Sequence, residues 1–230
     1  MSLVVGFDTA TEDVAVAATR DGEVLEERRI VAPRGERPLH ATALLVELEA
    51  VVDKLGGWQH VDVIGVGIGP GSFTGLRVGL ATARGLAQAL AKPAVPVGTL
   101  TALAGGIGER PEAVGRTRLA ALDARRGQTF AALHGPGGEQ LWPPLVADPH
   151  ELGRRVAALP EPPLAAGSGT LRFRRELQFA GAEVLPDGDA AHRISARQIC
   201  VLTAAGSPAP LEPVYLRTPD AEIWLERDTH

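Results

Sequence analysis

The sequence predicts an α/β protein of two lobes, each a mixed sheet with helices, and three observations carry that prediction. An apolar strand ending in aspartate, a short loop, a second strand, a Gly turn and a third strand open the chain as VVGFDTATEDVAVAATRDGEVLEE. The same plan returns mid-chain as LAALDARRGQTFAALHGPGGEQLWPP. The stretch from Val61 to Pro93, VDVIGVGIGPGSFTGLRVGLATARGLAQALAKP, reads as strand, Gly/Pro turn and one long helix of small residues. Between the two plans, a Gly-, Pro- and Glu-containing run from Gly105 to Gly115 reads as a lobe boundary. The expected division is therefore residues 1–104, joined by the tail 206–230, and residues 105–205. A chain of 230 residues is long enough for this, burying roughly 70% of its unfolded surface.

Taken in order, Leu3 to Phe7, Val14 to Ala18 and Val24 to Val31 read as three antiparallel strands, with Asp21-Gly22 as a tight hairpin turn. Pro38 leads into a helix closed by Gly56-Gly57. Its Leu44, Leu45, Leu48, Val51, Val52 and Leu55 spread over more than half of the circumference. Either that helix is buried between the sheet and a neighbouring helix, or one side covers the sheet and the other meets a second protein. Val63, Ile64, Val66 and Ile68 suit a strand buried on both faces, with Gly65, Gly67 and Gly69 allowing close approach. Ser72 is an N-cap for a helix running to about Ala91, where Pro93 stops it. Along that helix Gly75, Gly79, Ala83, Ala87 and Ala91 recur every four residues. Glycine inside a helix costs roughly 1 kcal/mol against alanine, so this row asks for a packing reason: the chain's own sheet, or a partner's helix.

A strand from Ala94 to Gly98 completes the first unit, running parallel to the Val61 strand because a helix connects them. In the repeat, Asp8 aligns with Asp123 and Gly22 with Gly137. After one inserted residue, Glu23 aligns with Glu139 and Leu25 with Leu141. The remainder reads as a helix around Pro149 to Leu159, a strand Leu164 to Ala166, and the loop Gly167-Ser168-Gly169. A helix to about Phe179, a strand Glu183 to Leu185 and a last helix Ser195 to Ala205 follow, and the tail is expected to pack back on the first lobe.

A net charge of −5 and a pI near 5.7 argue against broad nucleic-acid or membrane-surface binding. The clusters Arg28/Arg29 and Arg172/Arg174/Arg175 read as solvated faces. The start MSLVVGFDTA has no basic n-region and no apolar run reaches the length of a membrane span, so a cytoplasmic protein is expected. Cys200, the single cysteine, lies in an apolar helical pattern and reads as a buried inert thiol. The six histidines show no i, i+4 pair on a helix; they read as surface or turn residues, with no metal site. The glycine-rich turn before Ser72 fits neither GxGxxG nor GxxxxGK[ST].

Two lobes that each begin with strand, aspartate and hairpin resemble the actin-like ATPases (ASKHA, RNase H-like fold), in which the two hairpin loops clasp a nucleotide's phosphates. Within that class, four segments together closely resemble the TsaB (YeaZ) family over nearly the whole chain: DTATEDVAVA at Asp8 to Ala17, GIGPGSFTGLRVGLATARGLAQAL at Gly67 to Leu90, LDARRGQ at Leu122 to Gln128, and EPVYLR at Glu212 to Arg217. The resemblance implies a subunit of the bacterial machinery that makes threonylcarbamoyladenosine beside the anticodon of tRNAs decoding ANN codons. The implied role is that of an inactive relative that dimerises with and supports the catalytic subunit TsaD, with TsaE recruited through the complex.

The residues bear on that implication. A working phosphate site needs glycine amides and carboxylates for Mg²⁺. Asp8 and Asp123 stand in the right places, but Thr9-Ala10-Thr11 has no glycine and Ala124-Arg125-Arg126 puts side chains where backbone should close on phosphate. Gly167 and Gly169 resemble a loop that supports adenosine in active relatives. No catalytic residue, resident cofactor or metal is therefore expected, and ATP or ADP binding at Asp8, Asp123, Gly167 and Gly169 is at most vestigial. The expected partner surface comprises Leu44, Leu45, Leu48 and Val52 on one helix with Gly75, Leu76, Gly79, Ala83 and Ala87 on the other. By analogy these helices form a bundle with TsaD or, without it, with a second copy of the chain. Transfer RNA is reached only through the complex; direct contact through Arg172, Arg174 and Arg175 is a further reading. The alternative of a different class is an actin-like small-molecule kinase or ATPase.

Overall fold

The computed structural model describes residues 2–31 and 38–217. Strands β1 (Leu3–Asp8), β2 (Val14–Arg20) and β3 (Glu23–Ile30) form an antiparallel meander. The turn between β2 and β3 works because Asp21 and Gly22 both take positive φ, 50° and 86°, as a two-residue hairpin loop requires. Helix α1 (His40–Asp53) leads to β4 (Val63–Gly67), α2 (Phe73–Leu90) and β5 (Ala94–Val97). The sheet order is β3-β2-β1-β4-β5, with β1, β4 and β5 parallel. Ser72 Oγ accepts the Gly75 amide, capping α2 as expected. At the far end, α2 closes on left-handed Ala91, before Pro93 is reached.

The second sheet repeats the plan. Strands β6 (Arg118–Arg125), β7 (Gln128–His134) and β8 (Gln140–Ala147) form a meander, and β9 (Leu164–Ala166) and β10 (Glu183–Val184) add in parallel, in the order β10-β9-β6-β7-β8. Helix α4 (Pro149–Ala157) lies in the crossover to β9. The single helix expected after Gly169 is two: α5 (Ser168–Arg172) and α6 (Arg174–Phe179), because Phe173, at φ −113°, ends one and caps the other.

Two helices cross between the sheets. α3 (Thr99–Gly108) runs straight through Gly105-Gly106, so the boundary expected at 104/105 falls inside a helix. Its Leu100, Leu103 and Ile107 pack with Ala120, Leu122 and Leu164 of the second sheet. α7 (Ala196–Ala205), assigned from sequence to the second lobe, lies on the first sheet instead, where Ala196 and Cys200 join Val4, Ala15 and Ala17. The glycines make this possible. A Cβ on Gly65 would lie 1.9 Å from Thr203 Oγ1, and one on Gly105 2.4 Å from Gln198 Oε1, so both helices of this crossing come close by leaving side chains out. Burial pushes the Cys200 thiol up to about 12, which leaves it inert.

The opposite face of the first sheet is covered by α1 and α2 through Leu44, Leu48, Val51, Val52, Leu80 and Ala83. The described part of the tail returns here: Leu211 enters this core and the Val214 amide bonds Ile68 O at 2.8 Å. Arg217 then reaches Ala124 O, 2.7 Å away in the second lobe. Residues 218–230 lie outside the described residues.

Candidate functional site

A cleft of about 1100 Å³ opens between the lobes. The β1–β2 loop (Ala10 to Asp13), the β6–β7 loop (Leu122 to Arg126), the N-terminus of α2 and the tail around Tyr215 line it. Both hairpin loops expected to clasp phosphate are therefore brought face to face.

The carboxylates at both positions have partners within the chain. Asp8 is 1% exposed. Its Oδ1 accepts the Ala10 amide at 2.7 Å and its Oδ2 the Thr99 hydroxyl at 2.8 Å. A Cβ on Gly67 would sit 1.8 Å from Oδ2, so β4 closes over the carboxylate. Burial raises its pKa above the ordinary 3.8, against the pull of the two hydrogen bonds. Between the two values the folded chain keeps a proton that the unfolded chain has lost. Stability is then lost as pH rises through that window and stays lower above it. Asp8→Asn is accordingly expected to melt higher than the wild type at pH 7, with the gap closing toward pH 4. A lower melting temperature at pH 7 would show that the charge is wanted where it stands.

Asp123 is held as firmly. Its Oδ1 accepts the Arg125 amide, and Arg172 Nη1 lies 2.8 and 2.7 Å from its two oxygens. Arg125 and Arg126 take positive φ, and Arg125 forms an ion pair with Glu12 of the opposite loop, tying the two phosphate positions together. Gly167 and Gly169 face inward. Their Cβ atoms would lie 2.0 Å from Ala121 O and 2.6 Å from Thr129 Cγ2, so these glycines let the loop lie on its own sheet. Arg174 bonds Val184 O, Leu185 O and Asp187. Two of the three arginines considered for direct tRNA contact are thus engaged within the chain.

Histidines read as surface or turn residues are partly core. His40, His134 and His192 are buried. His40 Nε2 donates to Thr11 O at 2.7 Å, steadying the first loop. His192 Nδ1 accepts the Gly167 amide at 3.0 Å, so its Nε2 carries the proton toward Leu185 O and Pro186 O. Burial pushes His40 and His134 down from the usual imidazole value. No group of three potential metal ligands occurs among the described residues, and His230 lies outside them.

The helix surfaces correct the expected partner face. Leu44, Leu48 and Val52 are fully buried in the chain's own core, as are Gly75, Leu76, Gly79 and Ala83; Ala87 is half-buried. A Cβ on Gly75 would stand 1.9 Å from Thr9 O, and one on Gly79 2.4 Å from Thr9 Oγ1. The small row therefore admits the β1–β2 loop. Of the expected set only Leu45, 49% exposed, faces out, beside Val46 at 59%. On α2 the outward small residues are Ala81, Gly85 and Ala89, a second row at the same four-residue spacing. It could have been found in the sequence by asking which small positions lie opposite the apolar ones.

The fold defined by these two sheets, crossing helices and facing loops is that of the actin-like ATPases. Ethanolamine utilization protein EutJ of Carboxydothermus hydrogenoformans (TM-score 0.52, 13% identity, 87% of this chain and 90% of that one) shares it. So does ROK hexokinase of Thermus thermophilus (0.51, 14%, 88% and 99%). Within this fold, YeaZ from Pseudomonas aeruginosa matches at TM-score 0.73 and 29% identity, over 94% of this chain and all of that one. The Escherichia coli tRNA threonylcarbamoyladenosine biosynthesis protein TsaB is 30% identical over 226 residues, 93% of this chain and 94% of that protein. The family model described as TsaD, tRNA N6-adenosine threonylcarbamoyltransferase, matches residues 21–168. The chain belongs to the TsaB (YeaZ) family, whose named members are tRNA threonylcarbamoyladenosine biosynthesis proteins. No described helix is long and apolar enough to cross a membrane.

Proposed function

We propose that this chain is a noncatalytic subunit that dimerises with TsaD and supports threonylcarbamoyl transfer to the adenosine beside the anticodon of tRNAs decoding ANN codons. The observation that carries this reading is the closure of both phosphate positions by the chain's own groups: Asp8 sealed beneath Gly67 and Thr99, Asp123 neutralised by Arg172, and Arg125 paired across to Glu12. A loop that must admit triphosphate and Mg²⁺ needs open amides and free carboxylates; here Asp8 and Asp123, with the Ala10 and Arg125 amides, are already bonded within the chain.

The partner surface is the outward side of α1 and α2, built from Leu45 and Val46 with the row Ala81, Gly85 and Ala89. Exposed aliphatic residues beside a small-residue row suit close helix–helix packing. TsaD occupies this face in the complex, a second copy occupies it in an isologous homodimer when TsaD is absent, and TsaE and tRNA join only through the complex, in the cytoplasm. The 1100 Å³ cleft keeps a second reading in view, a small-molecule kinase or ATPase. Co-purification with the same organism's TsaD, with masses by light scattering and an ATPase assay on the isolated chain, separates the two. A stable heterodimer and no turnover are expected. Turnover by the lone chain that Asp8→Ala abolishes would establish the enzyme instead.

A further inference from the structure

Pro208, Pro210 and Pro213 stand close together in the tail. Proline fixes φ and donates no amide, so the chain here stays extended and joins neither sheet. It runs exposed from Ala204 to Pro210, and then Leu211 to Arg217 cross from one lobe to the other. On the first lobe, Leu211 is buried in the core beneath α1 and α2, and its carbonyl accepts from Arg84. The Val214 amide bonds Ile68 O at 2.8 Å, and Tyr215 lies on Phe73 with ring centroids 5.0 Å apart. On the second lobe, Leu216 packs on the cluster that contains Leu122, Ala124 and Phe130, and Arg217 Nη1 donates to Ala124 O at 2.7 Å.

These anchor points are the supports of the two facing loops. Ile68 and Gly69 lead into the turn where the Ser72 amide donates to Ala10 O at 2.7 Å, and a Cβ on Gly69 would lie 3.1 Å from Val214 O. Ala124 stands between Asp123 and the left-handed pair Arg125-Arg126. The segment therefore ties the turn beneath one loop to the backbone of the other, and Val214, Tyr215, Leu216 and Arg217 form part of the cleft wall.

We infer that Leu211 to Arg217 is a releasable strap that sets how far the cleft opens. Attached to both lobes, it holds the facing loops at this separation; freed at Leu216 and Arg217, it lets the lobes part about the crossing helices α3 and α7. Those helices are the firmer joint, because Leu100, Leu103, Ile107, Ala196 and Cys200 are fully buried, whereas Tyr215 of the strap is 41% exposed. Segments with few buried contacts open first. The Arg125–Glu12 pair also joins the loops, but its side chains are 73 and 64% exposed, where solvent screens the attraction. The inference needs neither TsaD nor a nucleotide and is independent of the proposed role.

The test is pulsed electron resonance between nitroxides on Thr74→Cys and Gly188→Cys, exposed cleft positions or neighbours of it on opposite lobes; the buried Cys200 stays unlabelled. One narrow distance distribution is expected. Leu216→Ser combined with Arg217→Met should shift it to longer and broader distances, while Glu12→Gln should leave it in place. An unshifted distribution in the strap variant would overturn the inference, as would a broad one before the strap is altered, or a shift of equal size from Glu12→Gln. Hydrogen exchange on the unaltered chain tests release without a variant that could misfold. The Val214 amide should be protected yet exchange about tenfold or more faster than the amides of β1. Protection equal to that of β1 would make the tail a fixed part of the core, and no protection would mean that it is not attached; either result overturns the inference.

Discussion

Gly85→Trp is expected to leave the monomer folded and to abolish its complex with TsaD. Gly85 faces out from the middle of α2, and nothing lies within 4 Å of where its Cβ would be. Inside a helix, replacing glycine even by an aromatic residue recovers a few tenths of a kcal/mol of propensity, so the isolated chain should melt at or slightly above the wild-type temperature. At an interface the indole would hold two helix backbones apart along the row Ala81, Gly85 and Ala89. A clash at the centre of an interface costs ~3 kcal/mol or more, which is over 100-fold in affinity. Light scattering of the mixture reads the outcome directly. A heterodimer of undiminished affinity would remove this face from the proposal and leave the phosphate-loop argument standing.

Gly75→Leu has the opposite expected signature: loss of the fold itself. The missing side chain at Gly75 is the space the β1–β2 loop occupies, since a Cβ there would stand 1.9 Å from Thr9 O and 3.0 Å from His40 Cε1. Thr9 Oγ1 also donates to Gly75 O at 2.8 Å, sealing the contact. The colliding atom is backbone, which cannot rotate aside. Overpacking of that kind costs about 3 kcal/mol or more. Urea unfolding should therefore show a midpoint shifted far down or a chain unfolded in buffer; a wild-type midpoint would mean that α2 does not rest on this loop. The two glycines, ten residues apart on one helix, thus serve as mutual controls.

The contrast explains what could and could not be read in the sequence. Asp21-Gly22 and Ser72 announced a hairpin and a helix start because their roles are local: a positive φ and an amide without a partner. The duplicated strand–aspartate–hairpin plan announced two sheets because alternation and turn residues survive even when identity does not. Burial was harder. Rows 75-79-83 and 81-85-89 share one spacing and differ by two positions, which is about 200° around a helix, so they lie on opposite sides. Only the β1–β2 loop, contributed from far away in the chain, decides which row is filled. Likewise Asp8 and Asp123 were visible as strand-end carboxylates, while Thr99 and Arg172, which bond them, come from elsewhere in the chain. The helix break at Phe173 and the continuation of α3 through Gly105-Gly106 were missed for the same reason: glycine there fits Gln198, a tertiary neighbour.

α3 and α7 have one more consequence. The first half of the chain ends in a helix that covers the second sheet, and the second half ends in a helix that covers the first. The exchange is reciprocal, like that between two molecules that swap an arm. Cut between the halves, each piece would keep its strands yet present one bare sheet face, with Ala15 and Ala17 or Ala120 and Leu122 open to water. The lobes are therefore halves of a single cooperative unit. In a duplicated ancestor of one half's length, the same arrangement would have required two chains, each completing the other.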